Sequence, residues 1–126
     1  MSARVIVTGS RLWRWPEVVH GALNATLGEL GRLTVVHGGC PRGADAAASG
    51  WAVSAWARRF DTGLEVWPAD WEQHGKAAGP RRNTAMVAAG ADLVLAFPLG
   101  ASVGTRGCMR LAAAAGIEVR DLGAQR

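Results

Sequence analysis

Apolar runs of strand length alternate along this chain with segments whose apolar positions recur at helical spacing. Arg4-Val5-Ile6-Val7-Thr8 is β-branched and almost continuously apolar, the pattern of a strand covered on both faces. Pro16 follows, where a first helical turn tolerates proline, with Glu17 beside it at the positive helix end. Val19, Leu23, Leu27 and Leu30 then recur at spacings of three and four, and Gly31 supplies a stop. Leu33 to His37 reads as a second strand, ended by Gly38-Gly39, and an alanine-rich helix runs from about Ala44 to Arg58. Leu64 to Trp67 is a third, shorter strand, and Pro68 to Gly79 a polar loop. A helix opened by Pro80 closes at Gly90, and Asp92 to Phe97 is a fourth, nearly all-apolar strand. The glycine-rich stretch Pro98 to Thr105 leads into a helix to Ala115, and Ile117 to Leu122 reads as a last strand.

Strands and helices in strict alternation predict a parallel sheet with crossover helices. The expected fold is therefore α/β, a Rossmann-like three-layer sandwich. Its five-stranded parallel sheet has helices on both faces and the order 3-2-1-4-5, the commonest for this pattern. With 126 residues, no linker and no repeat, the chain reads as a single domain over 1–126.

Composition narrows the class without naming a function. A hydrophobic share of 49% and a charged share of 19% fit a globular chain rather than a disordered one. No apolar run has the length of a membrane span, and the N-terminus enters a strand directly, without signal-peptide architecture. Cys40 and Cys108 lie far apart with no CxxC spacing and read as two reduced thiols, so a cytoplasmic location is expected. The three histidines show no ligand spacing with them, and no metal site is expected.

Charge becomes informative through its placement. Thirteen of the fourteen basic residues are arginine, which with abundant alanine reflects genomic bias in part. Eight of the fourteen nevertheless follow strands: Arg11, Arg14, Arg42, Lys76, Arg81, Arg82, Arg106 and Arg110. Ligands of open parallel sheets bind outside the carboxyl ends of the strands, where helix N-termini favour anions. Gly9, then Gly38 with Gly39, then Gly100 with Gly104, punctuate that same edge. A missing Cβ there opens backbone N–H groups to a phosphate. None of the three clusters is a GK[ST] loop or a complete GxGxxG, which disfavours the P-loop ATPases and NAD dehydrogenases.

These segments resemble the YspA-like branch of the SLOG superfamily, which also holds the DNA-processing protein DprA and the Lonely Guy phosphoribohydrolases. The matching stretches are Val7-Thr8-Gly9-Ser10-Arg11 with Trp13, His37-Gly38-Gly39 with Gly43-Ala44-Asp45, and Ala69-Asp70-Trp71. Gly79-Pro80-Arg81-Arg82-Asn83 with Met86, Ala91-Asp92, Ala96-Phe97-Pro98 and Gly104-Thr105 continue the match in order. The resemblance implies a Rossmann-like nucleotide-binding fold. Arg82-Asn83-Thr84-Ala85-Met86 is similar to the Arg-Lys-x-x-Met segment of the Lonely Guy enzymes. Their Pro-Gly-Gly-x-Gly-Thr-x-Glu loop is longer here, and Gly107 stands where the catalytic glutamate would fall. Glycoside cleavage needs a carboxylate or its equivalent.

Several side chains carry two readings. Arg82 with Asn83 heads a helix, suited to bidentate phosphate contact and opposed to the helix dipole. Arg11 reads as a phosphate contact or a surface residue. Asp45 is a helix-opening cap, a ribose ligand or an acid–base group, and Asp70, with Glu72 and His74, offers the remaining carboxylate. His37 reads as a buried, hydrogen-bonded histidine. Trp51, Trp56 and Trp67 look like packing residues, while Trp13, Trp15 and Trp71 lie in edge loops where one could stack on a base.

The expected ligand-binding set is Gly9, Ser10, Arg11, Gly38, Gly39, Asp45, Arg82, Asn83, Gly100, Gly104 and Thr105, with Asp45 and Asp70 as candidate catalytic groups. The leading function is binding of a nucleotide or another phosphorylated ribose, an ADP-ribose-type ligand included, as sensor or carrier. No other cofactor is identifiable. The first alternative is a Lonely Guy-like phosphoribohydrolase cleaving an N-glycosidic bond of a nucleoside monophosphate. A DprA-like single-stranded DNA-binding module ranks third, for want of an extended basic surface. Alanine-rich helix faces, with the resemblance, imply a homodimer or higher homo-oligomer, and no membrane partner is expected.

Overall fold

The structure is a computed structural model that describes residues 2–125. Five strands, β1 (Ala3–Gly9), β2 (Leu33–His37), β3 (Gly63–Val66), β4 (Leu93–Phe97) and β5 (Val119–Asp121), form one sheet of order β3-β2-β1-β4-β5. Every neighbouring pair is parallel. The expected order and fold class are thus met. Strand β4 is buried along its whole length, and Val5, Ile6 and Val7 of β1 are fully buried.

Helices α1 (Pro16–Leu30) and α2 (Gly43–Ala52) cover one face. Val19, Leu23 and Leu27 pack there with Val5, Val7, Val35, Leu95 and Phe97. Helices α5 (Ala78–Ala88) and α6 (Val103–Ala114) cover the other face, where Met86, Val87, Cys108 and Ala112 meet Ile6, Val36 and Val94. Alternate residues of β1, β2 and β4 thus feed opposite layers, the two-sided burial that the continuous apolar runs require. Leu30, the last residue of the α1 periodicity, lies outside the core at 42% exposure. Thr26 takes an inward position instead, its hydroxyl donating to the Ala22 carbonyl at 2.8 Å. No helix among the described residues is long and apolar enough to cross a membrane.

Two expected segments differ. The single helix from Ala44 to Arg58 is broken into α2 and a short α3 (Ala55–Arg58). The Ser54 hydroxyl donates to the Trp51 carbonyl at 2.7 Å and accepts from the Ala57 N–H at 3.2 Å. A serine side chain competes in this way with the helical ladder and restarts it. The polar loop from Pro68 to Gly79 contains helix α4 (Trp71–His74) and a 3-10 turn (Gly75–Ala77), and α5 begins two residues before Pro80. Asp70 caps α4, accepting from the Gln73 N–H at 3.1 Å. The spacing Asp70-x-x-Gln73 is a capping signature legible in the sequence. The described residues therefore form six α-helices where the pattern predicts four.

Candidate functional site at the carboxyl edge of the sheet

The winding direction reverses between β1 and β4, whose carboxyl ends pair as Gly9 with Phe97. Ligand crevices of open α/β sheets form at such a point. The loops that leave the two strands are held there by backbone bonds. The Ser10 N–H donates to the Phe97 carbonyl at 3.1 Å, and the Ser10 carbonyl accepts from Trp13 at 3.2 Å and Ala44 at 3.3 Å. The Ser10 hydroxyl accepts from the Leu12 N–H at 3.0 Å. Ser10 is thereby engaged in tying β1, β4 and α2 together, while the Arg11 side chain projects into solvent.

The glycines of this edge divide in two. A Cβ on Gly9 would stand 2.5 Å from the Ala44 Cβ, and one on Gly38 would stand 2.1 Å from the Arg82 Nη1. The room they leave is filled by α2 and by the guanidinium. Gly43, with φ of 72°, lets α2 start where a Cβ would meet the Ser10 carbonyl oxygen at 2.3 Å. Gly100 and Gly104, by contrast, are exposed and face open space. The β4–α6 loop is braced from within, since Arg106 donates through Nη2 to the Gly100 carbonyl at 2.9 Å and through Nε to that of Ala101 at 3.1 Å.

Arg82 joins the parts. Its Nη1 donates to the Gly38 carbonyl at 2.7 Å and the Trp67 carbonyl at 3.2 Å, spanning the ends of β2 and β3. Its Nε donates to the Asn83 Oδ1 at 2.7 Å, and the Asn83 Nδ2 donates to the Gly104 carbonyl at 3.3 Å, reaching the first turn of α6. The Arg82 Nη2 makes no hydrogen bond among the described residues. Because α5 begins at Ala78, Arg82 stands in its second turn rather than at its head. Gly38, Gly39, Arg82, Asn83, Gly104 and buried Thr105 are thus neighbours at one edge. Arg110, grouped with this edge by sequence, lies well inside α6.

Asp45 is 7% exposed. It is the third residue of α2 rather than its cap, which is Arg42. Its Oδ2 accepts from the Cys40 N–H at 3.2 Å, and its carboxylate also accepts from the Gly38 N–H. Burial raises its pKa from the ordinary 3.8 to about 6, against the two N–H bonds and the Arg82 charge, which lower it. His37 is buried, as expected, and its Nδ1 accepts from the Gly39 N–H at 2.9 Å. That bond leaves the imidazole proton on Nε2, which is buried without a partner among the described residues. Burial, then the Arg82 charge, holds this imidazole below its usual pKa. Asp70, the other candidate catalytic group, is exposed and serves as the cap of α4.

Thr8 and Cys108 stand outside the expected binding set. The Cys108 thiol, buried in α6, is hydrogen-bonded to Thr8, and burial pushes its pKa up. A polar residue directly after the apolar run Val5-Ile6-Val7 was the available signal for Thr8. Helices α2 and α6 begin without a side-chain cap, whereas α3 and α4 are capped by Ser54 and Asp70. Their first N–H groups and dipoles face the edge that holds Arg82. No group of three His, Cys, Asp or Glu able to hold a metal ion occurs among the described residues. An apolar groove of about 400 Å³ lies elsewhere, between α1 and β5, and a shallow depression of about 450 Å³ on the outer side of α5. Neither includes a residue of the expected binding set. The edge is defined by its hydrogen-bond network and charge.

Residues 3–74 match the family described as YspA, cpYpsA-related SLOG. The chain is also 52% identical, over 124 residues, to the Gene 61 protein of Mycobacterium phage D29, a match covering 95% of this chain and 96% of that protein. With a matching segment that contains β1, β2, β3 and the loops that follow them, this chain belongs to the YspA, cpYpsA-related SLOG family.

Proposed function

We propose that the chain binds a nucleotide or nucleotide-derived phosphorylated ribose at the carboxyl edge of its sheet, as a sensor or carrier. The observation that carries this reading is the anchoring of Arg82. Three of its donor contacts fix the guanidinium to β2, β3 and Asn83, so Nη2 is presented in one place without the usual ordering cost of a long side chain. The N-terminus of α6, which has no side-chain cap and carries exposed Gly104, supplies further N–H donors of the kind that phosphate takes. Membership in the SLOG family supports a nucleotide-related role.

A second reading rests on Asp45. A carboxyl whose pKa is about 6 is poised near neutrality to donate or accept a proton. It could serve cleavage of an N-glycosidic bond in place of the glutamate absent at Gly107. One panel tests both: nucleoside monophosphates and ADP-ribose, followed by melting temperature and by product analysis. A raised melting temperature without turnover is the expected result, and release of free base would establish the enzyme instead. Arg82→Ala should abolish the ligand-induced shift while circular dichroism reports an intact fold. A shift that survives Arg82→Ala and Arg82→Lys removes Arg82 from ligand binding.

A further inference from the structure

Resting on that reading, we infer that Trp71 is the stacking platform for the base of the bound nucleotide, so that the site takes a nucleobase-bearing ligand in preference to a bare sugar phosphate. The other tryptophans are engaged. Trp13 packs edge-on against Trp15 and Phe97 with ring centroids 5.2 and 5.4 Å away, and its Nε1 donates to the Trp15 carbonyl. Trp51 donates to the Asn24 Oδ1 and packs near Trp56, which in turn lies against Phe60. Trp67 donates to the Glu65 Oε1. Trp71 alone has neither a ring partner nor a bond at its indole nitrogen among the described residues, and it is 61% exposed. A chain that buries its other edge tryptophans, Trp13 wholly and Trp15 partly, leaves on the order of 100 Å² or more of this ring in water.

Its position relates it to the phosphate-binding group. The indole lies against α5 at Gly79, where a Cβ would be 3.5 Å from the Trp71 Cη2. Gly79 precedes Arg82 by three residues, hence stands on the same side of the helix, about 4.5 Å along its axis. Arg82 in turn bonds the Trp67 carbonyl at the end of the strand that leads into α4. The α5 position beside the ring and the one that carries the guanidinium are therefore about one helical turn apart, on the scale of a single ribose. The Asp70 cap fixes the start of the short helix that carries the indole. Base–aromatic stacking suits every base because each has a π-face.

The test compares adenosine 5′-monophosphate with ribose 5-phosphate by calorimetric titration of wild type, Trp71→Ala and Trp71→Phe. Wild type should bind the nucleotide the more tightly. Trp71→Ala should weaken nucleotide binding about tenfold to a hundredfold and leave ribose 5-phosphate unchanged, and Trp71→Phe should restore most of the loss. Equal nucleotide affinity in wild type and Trp71→Ala, with ribose 5-phosphate still bound, overturns the stacking role and leaves the phosphate reading intact. Failure of both probes to bind wild type overturns the phosphate reading and the platform with it.

Discussion

Asp45 should make the fold less stable as pH rises through 6. In the folded chain its carboxyl titrates near 6, against an ordinary 3.8 that applies once the chain unfolds. Between those values the folded state holds a proton that the unfolded state has released. Stability therefore increases as pH falls through the window and decreases as pH rises through it. The full difference corresponds to roughly 3 kcal/mol, of which about 2 kcal/mol lies between pH 7 and pH 4.5. Asp45→Asn removes the titrating group at nearly constant volume. The decisive quantity is the stability of wild type minus that of Asp45→Asn, measured by urea denaturation at both pH values. Any constant offset from altered hydrogen bonding to the Cys40 and Gly38 N–H groups cancels in that comparison. The difference should move by about 2 kcal/mol in favour of wild type on acidification, or about 8 °C in melting temperature. Glu29 and Glu65, which Arg120 and Arg4 hold below the usual carboxylate range, act in the opposite sense at lower pH and are common to both proteins. A difference that stays constant between the two pH values would show that the buried carboxylate pays no desolvation cost, and the argument for a proton-exchanging group at this edge would fail.

Glycine substitutions should separate close packing from free surface. Gly43→Ala, at positive φ and with its Cβ driven to 2.3 Å from the Ser10 oxygen, should cost more than about 2 kcal/mol in denaturant titration. Gly28→Ala, inside α1 with nothing within 4 Å, should instead stabilise by about 0.5–1 kcal/mol. If the two variants have equal midpoints, the close approach of α2 to the β1 loop is wrong. Thiol labelling of the native protein should modify Cys40, which is half-buried, well before Cys108, which is fully buried with a raised thiol pKa. Equal rates would contradict the burial of α6 against the sheet.

The alternation of apolar runs with helical periods determined the layers, because a strand covered on both faces must be apolar throughout and a helix covering it must be apolar on one side. Val5 to Val7 and Leu93 to Phe97 carried that information locally, and the loops after them had to lie at one edge of a parallel sheet. The order of the strands came from precedent for such patterns rather than from any residue. Short elements escaped because their signals are side-chain hydrogen bonds: Ser54 restarts a helix and Asp70 opens one. What only the tertiary structure decided is which edge residues are spent on the protein itself. The same missing Cβ leaves open space at Gly104 but is filled at Gly9 by Ala44 and at Gly38 by a guanidinium from 44 residues away. Likewise Asp45 acquires its raised pKa and Trp71 its exposure only from what packs, or does not pack, around them. Spacing along a chain reports periodicity, whereas burial and the sharing of donors depend on distances between segments that the sequence does not place.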